Sequence, residues 1–192
     1  MNEIERRGVI IRLVLVVSTF FLPVFLLLVD GISSFSFPIE HPEIAQNIFP
    51  RLKRVHLFFI NNFDAAAADR FVLRYSNIFF ISLTISIIFG LYGSVVGHKG
   101  RRKLRIAFLT AEIAPSAHQY EKNPSVILLA CAGAIGLCAA LIFILPGGGQ
   151  IVRKALFAEY GNIAVFFGFF CFVIAGAICL VFDLYKNRDI SI

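Results

Sequence analysis

The side chains that most often perform chemistry in proteins are few in this sequence and lie apart from one another. Four histidines fall between the long apolar segments, so none is placed to ligate a haem between helices. These are His41, His56, His98 and His118. Four cysteines lie inside apolar segments and form no C-x-x-C pair, which gives no support to a redox or metal site. We expect them to act as small apolar residues: Cys131, Cys138, Cys171 and Cys179.

Other catalytic patterns are also missing from the sequence. No pair of acids, Ser-His arrangement or metal-ligand spacing is detectable. The glycine run after Pro146 lacks the G-x-x-x-x-G-K-[ST] pattern of a phosphate loop and is interpreted as a flexible turn. We therefore predict a protein that is not an enzyme, with no catalytic residue, no metal ion and no cofactor.

A basic cluster is the most distinctive charged feature of the chain. We name its five residues the basic segment: Lys99, Arg101, Arg102, Lys103 and Arg105. A short apolar run over 106–114, which is predicted to be helical, follows it and ends before Pro115. The basic segment serves either as a topology signal that contacts anionic lipid, or as a docking site for an acidic cytoplasmic partner, with Phe108 in the apolar core of that contact. Nucleic-acid binding is not expected, because no aromatic residues are interleaved with the basic ones.

The elements that position these residues are predicted from composition. Hydrophobic residues make up 58% of the 192-residue chain and charged residues 16%, which is unlike a soluble domain. Four segments are long and apolar enough to cross a bilayer as helices, and these are about 9–29, 75–97, 124–145 and 162–182. Arg12 would snorkel to the headgroups. The alternative for the first segment is a signal peptide, but no small-x-small cleavage site follows it.

Charge distribution predicts the orientation of the four spans. The first twelve residues, the loop 98–123 and the tail 183–192 hold eleven of the 18 Lys and Arg residues. The outer segments 30–74 and 146–161 hold seven. By the positive-inside rule both termini are cytoplasmic. The prediction is a single all-α domain over 1–192, a polytopic four-helix bundle in the bacterial inner membrane.

The outer segment 30–74 is predicted to be extended or turning in its proline-containing first half. Its second half is predicted to form a short helix over 51–60, which lies on the membrane surface through Leu52, Val55 and Phe59. Asp64 then resembles an N-cap of the helix that contains the second span. This outer structure is interpreted either as a sensor of events at the envelope or as a simple connector.

Small residues at three- and four-residue steps predict how the spans pack, since helices in lipid associate where backbones approach closely. The predicted packing residues are Ser82, Ser86, Gly90, Gly133, Gly136, Gly168 and Ala175. Ser82 and Ser86 have a second interpretation, as the lining of a pore. The opposite faces carry phenylalanines such as Phe79 and Phe167, which suit either lipid or a neighbouring subunit.

The apolar cores hold no ionisable residue, which argues against proton relays, coupled ion transport and voltage sensing. Asp183 lies at the end of the fourth span, where Lys186 is a helical partner three residues on. Three classes of function remain. These are a non-enzymatic oligomeric scaffold or sensor that binds a cytoplasmic partner, a pore or small-transporter subunit, and a membrane enzyme with undetected sites.

Four spans, inward termini, a length of 192 residues and a basic cytoplasmic loop together resemble the membrane subunit of the bacterial Kiwa anti-phage system. The resemblance covers the whole chain as architecture and carries over no functional residue. It implies a homo-oligomer in contact with membrane lipids, which senses phage at the envelope and anchors a cytosolic effector protein.

Overall fold

The computed structural model describes residues 3–30, 39–62, 64–110, 124–140, 142 and 156–186. For residues 101–110 the description extends to the backbone helix only. Within this part the chain is helical, which confirms the all-α prediction. The helices are α1 (Glu3–Asp30), α2 (Pro42–Ile48), α3 (Pro50–Asn62), α4 (Ala65–Thr110), α5 (Pro124–Ala139) and α6 (Leu156–Lys186).

Three of these helices are long and apolar enough to cross a membrane. They contain the apolar stretches Glu3–Val29 in α1, Ala65–Gly100 in α4 and Ala164–Lys186 in α6. The predicted segments 9–29, 75–97 and 162–182 are thus confirmed as parts of long apolar helices. The remaining predicted segment, 124–145, contains the 16-residue α5, whose described apolar part is the shorter stretch Leu128–Ala139.

The chain divides into two compact units that share its long helices. Unit 1 comprises Met1–Thr19, Ser86–Ile135 and Phe172–Ile192. Unit 2 comprises Phe20–Ile85 and Gly136–Cys171. Each is described by itself below.

The outer segment, which belongs to unit 2, is more helical than its prolines predict. Pro42 is the first residue of α2 and Pro50 is the first residue of α3, so the prediction of an extended or turning first half is wrong for the described residues 42–50. The physical reason is that proline fits the first turn of a helix, where its missing N–H has no intrahelical partner. Residues 31–38 lie outside the described part.

The apolar face of α3 is covered by protein. Leu52 and Val55 are 1% and 2% exposed. The prediction that this face lies on the membrane surface is therefore wrong. The residue between α2 and α3, Phe49, is buried in a group of rings that we name the aromatic cluster. Its members are Phe49, Phe79, Phe80, Phe167 and Phe170.

Ring contacts hold the aromatic cluster together. The ring centroids of Phe79 and Phe167 are 4.6 Å apart, and those of Phe49 and Phe79 are 5.2 Å apart in an edge-on arrangement. Phe79 and Phe167 are buried, so they face neither lipid nor another subunit as the sequence had suggested. Offset and edge-on aromatic pairs are favourable beyond the area they bury. The cluster therefore fixes the α2–α3 corner on the helices of unit 2.

Two polar side chains of α4 fasten the chain segments that flank the undescribed residues 31–38. The amide N–H of Ile39 donates to Asn77 Oδ1 at 2.8 Å, and Asn77 Nδ2 donates to the Ile39 carbonyl at 3.0 Å. Arg74 Nη2 donates to the carbonyl of Leu27 in α1 at 2.8 Å. Asn77 is fully buried, so these bonds satisfy polar groups that would otherwise be costly to bury.

Helix α4 is one uninterrupted helix of 46 residues. It begins after Asp64, whose carbonyl accepts the N–H of Ala68 at 3.1 Å, as the predicted N-cap position requires. It continues through the basic segment to Thr110. The predicted cytoplasmic loop is therefore helical over 98–105, because Lys and Arg are good helix formers and extend the helix beyond its apolar part. Residues 106–110 are helical as predicted for the run 106–114. Residues 111–123 lie outside the described part.

Candidate functional site

The most distinctive polar site of the structure is a buried ion pair in unit 1. Arg12 of α1 binds Asp183 of α6 through two parallel hydrogen bonds. Nη1 donates to Oδ1 at 3.0 Å and Nη2 donates to Oδ2 at 2.8 Å. The two residues are 5% and 8% exposed. This bidentate geometry is the strongest form of a guanidinium–carboxylate contact.

His98 of α4 completes what we name the charge cluster: Arg12, His98 and Asp183. Its Nδ1 lies 3.3 Å from Asp183 Oδ1, and its ring packs edge-on against Phe182 with centroids 5.7 Å apart. The charge cluster therefore joins three helices that are far apart in sequence. One carboxylate interacts with a cation and an imidazole, so Asp183 is its central member.

Glycines of α4 make room for the arginine side chain. A Cβ atom at position 97 would lie 2.6 Å from Arg12 Cδ, and one at position 93 would lie 3.4 Å from Arg12 Cγ. The aliphatic part of Arg12 thus lies directly against the backbone of α4. The expectation that Arg12 snorkels to the headgroups is wrong, because a carboxylate inside the protein neutralises its charge.

The close approach of α1 and α4 extends beyond Arg12. A Cβ atom at Gly8 would lie 2.5 Å from the carbonyl oxygen of Val96, and one at Gly100 would overlap the carbonyl oxygen of Glu5. Side chains larger than hydrogen are therefore excluded along this line. Backbone contact of this kind is the main source of helix association in a membrane, where apolar burial gives little driving force.

The charge cluster is suited to holding helices rather than to catalysis. An arginine does not release its proton under ordinary conditions, and the Asp183 carboxylate is engaged on both oxygens. Among the described residues, no three His, Cys, Asp or Glu side chains are grouped so that they could hold a metal ion. The chemistry that this arrangement supplies is mutual charge neutralisation at low solvent exposure.

The predicted packing residues of α4 and α6 lie in the protein interior. Ser82 and Ser86 are fully buried. A Cβ atom at Gly90 would lie 3.1 Å from the carbonyl oxygen of Ala175 and 3.2 Å from its Cα, so the two helices touch there in unit 1. Cys179 Sγ also donates to the Gly90 carbonyl at 3.3 Å.

The remaining predicted packing glycines fall into two groups. In unit 2, a Cβ atom at Gly168 would overlap the carbonyl oxygen of Phe20, so α6 and α1 approach closely there. Gly133 and Gly136 of α5 are exposed, and no other atom of the described structure lies within 4 Å of the Cβ position of either. The structure thus brings Gly168, but neither α5 glycine, into contact with another described helix.

The predicted partner-contact residues all belong to the C-terminal part of α4. Lys99 is exposed. The backbone of α4 includes Arg101, Arg102, Lys103, Arg105 and Phe108, whose side chains lie outside the described part. At 100° per residue, basic residues at these positions are distributed around the helix rather than along one face.

The ion pair was not predicted from the sequence, although a signal for it existed. Arg12 and Asp183 are oppositely charged residues inside two apolar helices, a situation in which charges usually pair with one another. Taking Asp183 as a helix-end residue paired with Lys186 hid this possibility; the structure pairs Asp183 with Arg12 and His98. No sequence pattern predicts that His98 joins the charge cluster, apart from its position beside the basic segment.

Comparison with known proteins identifies no relative. No protein-family model matches the sequence. No curated protein and no solved structure gives a significant match.

Proposed function

We propose that the chain is a non-enzymatic scaffold and sensor of the bacterial inner membrane, which couples its envelope-facing segment 30–74 to a cytoplasmic partner protein. The proposal includes four membrane spans, with 124–145 as the third, and both termini in the cytoplasm. It also includes self-association of the chain. The basic segment is the contact site for the partner, and Phe108 contributes to its apolar core.

The continuity of α4 is the observation that carries this proposal. The same helix provides Asn77 and Phe79, which hold the outer segment, and then runs without interruption to the basic segment. A helix of 46 residues measures ~69 Å, more than twice the ~30 Å of a hydrocarbon core. A continuous helix connects the outer segment to the basic segment through one run of backbone hydrogen bonds, which supports coupling between them.

The packing of the outer segment supports a sensing role. Phe49, the residue between α2 and α3, packs its buried ring against Phe79 of α4, so a ligand that moves α2 and α3 acts directly on α4. A mere connector would need no such contact. This favours the sensor over the connector among the two interpretations of the segment.

Self-association is supported by α5. Its exposed surface carries Gly133, Gly136 and the small residues around them, and small residues permit close approach of a second membrane helix. The resemblance to the Kiwa membrane subunit also favours self-association, because it implies a homo-oligomer. Under that resemblance the stimulus is a phage at the envelope and the cytoplasmic partner is an effector of anti-phage defence.

Co-purification tests the partner contact. The full-length chain is extracted from its native membrane in mild detergent, with and without Arg101, Arg102, Lys103 and Arg105 changed to glutamate. We expect a stoichiometric soluble partner with the parent protein and its loss from the variant, because reversed charge repels an acidic surface. Retention of the partner by the variant, or its absence from both preparations, contradicts the proposal.

A matched control changes exposed basic residues elsewhere on the chain. Lys53 and Arg70 are exposed and belong to the outer segment, so K53E/R70E should leave the partner bound. Reconstitution of the purified parent chain into liposomes addresses the pore alternative. Ion flux from that protein alone would favour a channel and overturn the scaffold.

A further inference from the structure

An open cleft in unit 2 has no role in the function proposed above. It lies between the start of α2 on one side and residues of α3 and α4 on the other, and its volume is about 480 Å³. Its polar lining comes from His41, Glu43, Gln46, His56 and Asp69. A cavity of ~300–1,000 Å³ is the usual size for a small-ligand site.

The back of the cleft is a fixed histidine–aspartate pair. His56 Nε2 lies 2.7 Å from Asp69 Oδ1, and His56 is only 8% exposed. An ionised carboxylate is only an acceptor, so Nε2 carries the hydrogen of this bond. His56 Nδ1 makes no hydrogen bond to the described residues, so this ring nitrogen is available to a further partner.

Further acceptors in the cleft are unused. The Asp69 side chain is 46% exposed, and its Oδ2 bonds to no described residue. The Glu43 carboxylate is exposed and makes neither a hydrogen bond nor an ion pair within the described part of the chain. The cleft thus combines two carboxylates with the imidazoles of His41 and His56, and no Lys or Arg is among the described residues that line it.

These acceptors suit an extended organic cation better than a metal ion. A metal requires ligands that converge on one point, and no three His, Cys, Asp or Glu side chains of the described residues are grouped in that way. An ammonium or guanidinium group instead carries several N–H donors and accepts separated partners.

We propose that this cleft binds an organic cation with several N–H donors, either a free polyamine or a Lys or Arg side chain of a peptide. Glu43 and Asp69 are the anionic contacts, and His56 is the positioning residue that fixes the Asp69 carboxylate. The inference goes beyond the proposed scaffold role, because it requires neither a cytoplasmic partner nor a second copy of the chain.

Isothermal titration calorimetry tests this site with the full-length protein in non-ionic detergent and 150 mM NaCl. The two probes are spermidine and an acetylated, amidated Gly-Arg-Gly peptide. Saturable binding of either probe is expected. Glu43→Gln and Asp69→Asn should each weaken it about tenfold, the effect of losing one hydrogen bond to a charged group. Which probe binds more tightly identifies the source of the cation.

The matched control is Glu40→Gln, which removes an exposed carboxylate three residues before Glu43 that does not line the cleft. Its affinity for the probe should equal that of the parent protein. Glu43→Gln leaves no described partner unsatisfied, so its circular dichroism spectrum should also be unchanged. Absence of saturable binding to both probes, or an equal loss in the Glu40 and Glu43 variants, overturns the site.

Discussion

The two units of the molecule are built from the same long helices but are stabilised differently. In unit 1, α1 and α4 approach so closely at Gly8 and Gly100 that their backbones touch, Gly97 lies against the Arg12 side chain, and the charge cluster fastens α6 to them. In unit 2, large rings fill the interior around Phe79. Close backbone contact leaves little room for side chains at Gly8 and Gly100, whereas the rings around Phe79 fill the space between chain segments in part of unit 2.

Because of this difference, we expect the two units to tolerate different kinds of substitution. An ion pair accepts one partner in one geometry, and a mismatch leaves a charge without compensation. Aromatic packing is more tolerant, because neighbouring rings can shift when one of them changes. We therefore expect unit 1 to be the more sensitive to single polar substitutions and unit 2 to be sensitive to loss of volume.

The largest effect is expected at Asp183. Asp183→Ala leaves the buried Arg12 guanidinium without its carboxylate and should lower the free energy of unfolding by about 4 kcal/mol, within the range for breaking a buried ion pair. Circular dichroism at 222 nm during an SDS titration measures the loss.

Two companion variants interpret that result. The double variant R12L/D183L removes both charges and should recover most of the stability. Glu3→Ala breaks the ion pair with Arg7, in which the side chains of Arg7 and Glu3 are 73% and 76% exposed. It should lower the free energy of unfolding by less than about 0.5 kcal/mol. If Asp183→Ala lowers the free energy of unfolding no more than Glu3→Ala does, the Arg12–Asp183 ion pair does not stabilise unit 1.

Phe49→Ala tests unit 2. Removing a ring that is 1% exposed should cost about 3 kcal/mol, at the lower end for buried phenylalanine because the other rings of the aromatic cluster can relax. Hydrogen exchange of the α2–α3 amides should accelerate, while exchange in residues 86–100 stays close to that of the parent protein. Equal acceleration in both places would contradict the distinction between the units.

Gly168→Ala tests whether close backbone approach between α1 and α6 stabilises unit 2 as well. Its added methyl group would overlap the Phe20 carbonyl, so α1 and α6 must separate, at a cost of about 2 kcal/mol. Gly176→Ala on the same helix meets no described atom within 4 Å and should be neutral or slightly stabilising, since alanine favours the helix. Thermal unfolding in detergent compares the two.

Asn77→Ala gives the smallest expected loss of stability among the four test substitutions, apart from their control variants. It removes both hydrogen bonds to Ile39, and about 1–2 kcal/mol should be lost because two buried backbone groups remain without those partners. Limited proteolysis near residue 39 should become faster. An unchanged cleavage rate would show that the aromatic cluster alone holds the outer segment.

Local sequence properties predicted the helices well. The apolar stretches of α1, α4 and α6 are long enough to cross a bilayer, and this property of the sequence predicts the three helices without any tertiary information. The end of α4 was misjudged because the prediction stopped at the first charges, whereas lysine and arginine prolong a helix that apolar residues have begun. Pro42 and Pro50 predict an extended or turning chain, but each begins a helix.

Features that depend on distant contacts could not be predicted in the same way. Arg12 and Asp183 are 171 residues apart, and only the assembled helices bring them together. The apolar face of α3 was recognised, but hydrophobicity alone does not tell lipid from a protein interior, and Leu52 is buried by protein. The lining of the cleft comes from three helices, and no local pattern marks it.

The ion pair between α1 and α6 also constrains the order in which the chain is made. Ribosomes synthesise Arg12 before its counter-charge, Asp183, which emerges only after the intervening 170 residues. Until then the arginine must remain hydrated or be shielded by other components of the insertion machinery. The arrangement of α1 is therefore completed only when α6 has been synthesised.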